Sequence, residues 1–167
     1  TDTLDALTSA DYNTAIGYNA GTAITTGAKN TILGAEAGEA LLSTPLNVII
    51  GYGAGKASTT GAYNVIVGAE AVTTGVLTGN NNAIMGYEAG KVMTSGANNT
   101  LLGFRTGLAI TSGSESTIIG KDAGSAMVDQ KLTAVGYQAG NATTANQCNF
   151  FGYTAGKGNT SGQDNIA

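Results

Sequence analysis

The sequence predicts an all-β fold, a parallel β-solenoid or β-roll of about nine 17-residue turns. Three observations carry that expectation. A glycine recurs at Gly17, Gly34, Gly51, Gly68, Gly86, Gly103, Gly120, Gly136 and Gly152, at intervals of 16 to 18 residues. Repetition of this kind marks units that stack into an array rather than fold alone. The unit is also too short for two packed helices, whose repeats begin at about 33 residues, and each of its glycines costs a helix about 1 kcal/mol relative to alanine. Finally, the apolar residues come in short β-branched pulses bounded by Asn and Gly, such as Val48-Ile49-Ile50 and Thr117-Ile118-Ile119, which is a strand signature.

The elements follow in order. Residues 1–12 do not fit the repeat and read as a lead-in or linker. Residues 13–167 form the repeat domain, nine turns and a truncated tenth. Each turn opens on an Asn, at 13, 30, 47, 64, 82 and 99, drifting to Ser116, Leu132 and Cys148. The strand pulse and the first glycine come next. An Ala-Gly pair follows, with alanine at 20, 37, 54, 71, 89, 123, 139 and 155 marking a corner too tight for larger side chains. Glycines there supply positive φ or close backbone approach. A second, weaker β segment is expected after the pair, as in Thr22–Thr26 and Lys91–Ser95. The chain stops inside the lead-in to a tenth copy and neither end reads as a cap, so a segment of a longer fibre, or a cap supplied by a partner, is expected.

Stacking turns each column of the repeat into a ladder with a spacing of about 4.8 Å. The column before the first glycine holds Ile16, Leu33, Ile50, Val67, Met85, Leu102, Ile119, Val135 and Phe151. It contains no polar residue and is expected inside. The preceding column, Ala15, Ile32, Ile49, Ile66, Ile84, Leu101, Ile118, Ala134 and Phe150, is apolar as well. Neighbouring strand residues point to opposite faces, so both faces need cover. Other copies of the chain are the simplest cover, hence an oligomer. The Asn column reads either as a ladder of side-chain amides between turns or as turn residues tolerant of left-handed φ.

The phrases Asn13-Thr14-Ala15-Ile16-Gly17-Tyr18-Asn19-Ala20-Gly21 and Thr26-Gly27-Ala28-Lys29-Asn30-Thr31-Ile32-Leu33-Gly34 resemble repeats of phage tail-fibre proteins, which often precede an endosialidase-type chaperone domain. They are also similar to the shorter repeats of trimeric autotransporter adhesin heads. The resemblance spans about residues 13–167 and departs from the adhesin heads in its longer period. It implies a homotrimeric rod, borne on a virion or cell surface, that attaches to a host polysaccharide or protein receptor without catalysis. A bacterial surface adhesin is the alternative, and an ice-binding solenoid is a second alternative.

Composition narrows the chemistry. Charged residues are 11% of the chain, with net charge −4, which lacks the basic footprint of a nucleic-acid binder. There is no His and one Cys, so the usual zinc sites, His-based acid–base chemistry and an internal disulfide are all excluded. No apolar run approaches the ~20 residues of a membrane helix. No cofactor is expected and no enzymatic activity.

Four sets of side chains are candidates for function. An aromatic follows the first glycine at Tyr18, Tyr52, Tyr87, Phe104, Tyr137 and Tyr153, with Ala35, Ala69 and Lys121 in the remaining copies. This stripe either stacks on sugar rings or packs a corner or subunit seam. Thr25, Thr59, Thr94, Thr111, Thr144 and Thr160, beside Thr26, Ser43, Thr60, Ser95, Ser112 and Ser161, form an array that either orders water as ice or is an exposed strand. The acids Glu36, Glu39, Glu70, Glu88, Glu115, Asp122 and Asp129 do not cluster in sequence and read as solvated charge rather than a glycosidase pair. Cys148 reads as a small buried residue in the Asn column.

Overall fold

A computed structural model describes residues 3–127, 131–142, 147–159 and 166–167. Nine strands form one parallel sheet in sequential order: β1 (Thr14–Ile16), β2 (Thr31–Leu33), β3 (Val48–Ile50), β4 (Val65–Val67), β5 (Ala83–Met85), β6 (Thr100–Leu102), β7 (Thr117–Ile119), β8 (Leu132–Val135) and β9 (Cys148–Phe151). The pairing is in register with the repeat, so Ile32 lies between Ala15 and Ile49, and Ile84 between Ile66 and Leu101. The chain is therefore a β-solenoid of about eight turns between nine strands, with no helix among the described residues.

The strands are short because both ends are fixed. Each stops at a first glycine with φ between +129° and +140°, a region closed to side chains with a Cβ. A Cβ on Gly51 would sit 2.7 Å from both the carbonyl carbon and the oxygen of Gly68 one turn on. The glycine column is thus a line of backbone–backbone contact. Three more left-handed positions bend each turn. One is the second glycine, with φ of 53–62°. The other two are non-glycine: the residue before the alanine column (Asn19, Glu36, Glu70, Glu88) and the residue before the Asn column (Tyr12, Lys29, Leu46, Tyr63).

The inward face differs from the sequence expectation. Ile32, Ile49, Ile66, Ile84, Leu101, Ile118, Ala134 and Phe150 are buried, and the column next to the glycines points out, with Ile16, Leu33, Met85, Leu102 and Phe151 exposed. Strand alternation explains the swap. The buried Asn begins the turn two residues before the inner Ile, so Asn and Ile share a face and the residue beside the glycine takes the other. The core is completed by the alanine column and by Ile24, Leu41, Leu77, Met93, Ile110 and Met127 from the far side.

That far side is not a strand. Thr22–Thr26 and Lys91–Ser95 form turns and bends, correcting the expectation of a second β segment. They are still tied to the next turn: Ala23 N–H donates to Glu39 O at 3.1 Å, and Thr25 N–H to Leu42 O at 3.0 Å. Frequent left-handed residues break strand geometry while stacking keeps the backbone groups satisfied.

The ends continue the stack. Residues 3–12 lie on the first turn, with Leu4 N–H donating to Ala20 O, Ala6 N–H to Thr22 O, and Leu4 packed against the core. At the other end Ile166 bridges Asn149, and Ala167 N–H donates to Asn149 O at 2.9 Å, in the pattern of a tenth rung. Residues 160–165 of that copy lie outside the described residues.

Candidate functional site: an uncharged face and an aromatic ladder

The Asn column settles into an amide ladder. Asn47 N–H and Nδ2 both donate to Asn30 Oδ1, at 2.9 and 3.2 Å. Asn82 repeats this on Asn64 Oδ1 (2.9 and 3.0 Å), and Asn99 on Asn82 Oδ1 (3.0 and 3.1 Å). The other amide proton reaches a backbone carbonyl, Gly96 O from Asn82 and Gly113 O from Asn99. These Asn residues do not have positive φ; the residue before each does. Ser116 N–H still donates to Asn99 Oδ1, so the ladder passes into the drifted copies. Buried Cys148 continues the column, with Asn159 Nδ2 at 3.9 Å from its Sγ.

The ladder fixes the opposite, outward face of the sheet. Its two columns are Thr14, Thr31, Val48, Val65, Ala83, Thr100, Thr117, Thr133 and Asn149, and the aliphatic column from Ile16 to Phe151. None of the nine strands carries a charge. Leu33 is 44% exposed, Met85 46% and Leu102 42%. The face is about 40 Å long and 10 Å wide, with an aliphatic column along one side and a mostly threonine column along the other. Where Ala83 replaces the Thr or Val of its column, a hollow of about 140 Å³ opens, lined by Val65, Ala83, Ile84, Met85, Thr100, Leu101 and Leu102.

The aromatic column runs beside this face. Tyr87 and Phe104 stack with ring centroids 5.4 Å apart and planes 19° apart, and Tyr137 and Tyr153 at 5.2 Å and 15°. Between the pairs lies Lys121, its Nζ 5.6 Å from the Phe104 centroid and 5.9 Å from that of Tyr137. From Tyr87 to Tyr153 the column is one continuous stack. The rings inside the stack, Phe104 and Tyr137, lie between a neighbouring ring and the ammonium, while Tyr153 at its end is 78% exposed. Tyr18 and Tyr52 have only alanine neighbours in the column and stand more exposed than Tyr87, Phe104 and Tyr137.

Charges gather on two other columns, the second and fifth residues after the first glycine. Lys56 Nζ bridges Glu36 (2.8 Å) and Glu39 (3.5 Å). Lys91 pairs with Glu88 and lies 3.6 Å from Glu70, while Arg105 lies 3.7 Å from Glu88. The hydrogen bond it donates to Glu36 holds the Lys56 ammonium above the ordinary lysine range, and the one donated to Glu88 does the same for Lys91. Stacking thus brings together acids that are far apart in sequence, but with cations between them. Glu115 pairs with Lys131 at 2.5 Å on a separate corner. Asp129 lies outside the described residues.

The Thr/Ser array sits on bends, not on a flat strand. Thr94 Oγ1 donates to Thr111 O at 3.0 Å, so that hydroxyl is spent within the stack. Thr144, Thr160 and Ser161 lie outside the described residues. No group of three or more metal-ligating side chains occurs among the described residues. The left-handed residues before the Asn column are the structural positions hardest to see in the sequence, since Tyr12, Lys29, Leu46 and Glu115 share no residue type. Comparison of the chain with protein-family models, with curated proteins and with solved structures finds no match.

Proposed function

We propose that the chain is a structural and attachment segment of a homotrimeric fibre, of the kind that phage tail fibres use for host-surface recognition, on a virion or otherwise outside the cell. The observation that carries this is the uncharged outward face of the sheet. An apolar side chain repeats along it at every turn, exposed at Ile16, Leu33, Met85, Leu102 and Phe151 and half-buried at the others, while the charges lie on other columns. Burying that column against sister chains gains roughly 25 cal/mol per Å² of apolar surface. A sister chain also carries the same ladder spacing, so side chains mesh turn by turn. The number three comes from the resemblance of the Asn-Thr-Ala-Ile-Gly-Tyr phrase to trimeric repeats. An extended stack of nine paired strands suits a rod that carries or presents a binding surface.

Sedimentation equilibrium tests this. The chain is expected at three times its 16.5 kDa mass. Charging the face with Leu33→Lys and Leu102→Lys together is expected to give the single-chain mass with the β spectrum retained, because isolated charges buried at an interface are costly. A single-chain mass for the parent protein at all concentrations would rule the assembly out.

A further inference from the structure

The aromatic column shows what fits between two of its rings two turns apart. Lys121 occupies such a gap, its ammonium within 6 Å of ring centroids on both sides, the reach of cation–π attraction. Two more gaps exist in the same column. Ala35 separates Tyr18 from Tyr52, and Ala69 separates Tyr52 from Tyr87. The flanking rings are about 9.6 Å apart along the axis, as Phe104 and Tyr137 are, and only a methyl group lies between them. Both rings of the first gap are open to solvent, Tyr18 58% and Tyr52 56% exposed, whereas Tyr87, on the far side of the second gap, is 43% exposed.

The residue after each gap is acidic. Asp122 follows Lys121, Glu36 follows Ala35, and Glu70 follows Ala69. The two open gaps differ in their balance of charge. Beside Ala69, Glu70 and Glu88 face two cations, Lys91 and Arg105. Beside Ala35, Glu36 and Glu39 share the single ammonium of Lys56. Glu39 Oε2 is buried and makes no hydrogen bond, and Asn19, next to Tyr18, reaches only Glu39 Oε1, at 3.5 Å. The first gap therefore combines two solvent-exposed rings, an alanine between them and an excess negative charge on the acids nearby.

We propose that the Tyr18–Ala35–Tyr52 gap is a binding slot for a small alkylammonium ligand, seated as the Lys121 ammonium is seated between Phe104 and Tyr137. The slot lies on the aromatic column and does not depend on the trimeric fibre assignment. Choline and its uncharged isostere 3,3-dimethylbutan-1-ol are the probes, followed by the ring resonances of the tyrosines in the full chain. Choline is expected to shift Tyr18 and Tyr52 and to bind about fivefold or more tightly than the alcohol. Tyr137 is expected to stay unmoved, since its gap is filled.

Ala35→Tyr fills the slot with a ring and is expected to abolish the shifts. Lys121→Ala empties the occupied gap and is expected to make Phe104 and Tyr137 respond to choline. This second variant keeps the test decisive if Ala35→Tyr folds poorly. Equal responses to choline and the alcohol, or no new response in Lys121→Ala, would overturn the proposal. Neither variant touches the uncharged strand face, so sedimentation mass reports separately on the assembly.

Discussion

Asn82 shows how much one side chain holds. Its Nδ2 serves Asn64 Oδ1 and Gly96 O, and its Oδ1 receives two donors from Asn99. Removing it leaves buried partners on both neighbouring turns unsatisfied, and each such group costs about 1–3 kcal/mol. Asn82→Ala is expected to destabilise the chain by about 3 kcal/mol or more in a denaturant titration, and the same change at exposed Asn80 by far less. The glycine column is equally strict. Gly51→Ala meets both a φ of +132° and the Gly68 backbone at 2.7 Å. Strain at such a φ alone costs about 1–3 kcal/mol, so loss of the cooperative thermal transition at 37 °C, or a large fall in its midpoint, is the expected outcome. Ser58 points the other way. It replaces an apolar residue in the far-side core column, and its buried Oγ has no hydrogen-bond partner. Ser58→Ala is expected to stabilise by about 1 kcal/mol, read as a higher midpoint.

At the scale of the element, the strands show which parts of the fold were legible in the sequence. The period, the strand positions and the parallel stacking all follow from recurring residues: Gly at one position, Asn four before it, and β-branched residues between. The face assignment does not follow, because Ile32 and Leu33 are both apolar and composition alone leaves parity open. The signal that fixes parity lay in Asn30. A buried amide ladder puts Asn30 inside, and Ile32, two residues on, must then be inside as well. The far side was misread for another reason. Thr25 and Thr94 have high β propensity, but the left-handed residues nearby bend the backbone. Stacking overrides propensity there: Thr25 N–H bonds to Leu42 O without belonging to a strand. The candidate site was legible as columns of residue types. Which rings stack, and that Lys121 lies between two of them, depends on side-chain geometry that a repeat alone does not encode.

At the scale of the molecule, each turn contacts mainly its two neighbours, so stability accumulates by stacking. One turn contributes a few buried aliphatic side chains, each worth about 1.5–3 kcal/mol, against a backbone ordering cost of about 1–2 kcal/mol per residue. A single turn therefore cannot hold itself, and the outward aliphatic column is apolar surface still unburied in one chain. Covering that column would convert a marginal stack into a rigid fibre. The most direct measurement is methyl NMR with a soluble paramagnetic agent. Ile32 and Ile118 methyls, buried inside the stack, are expected to stay protected under all conditions. Leu33, Leu102 and Met85 methyls should be protected in the assembled protein and relaxed in the Leu33→Lys, Leu102→Lys protein, with exposed Leu42 relaxed in both. If Leu33 and Leu102 relax as fast as Leu42 at every protein concentration, the outward face has no cover and the fibre proposal fails.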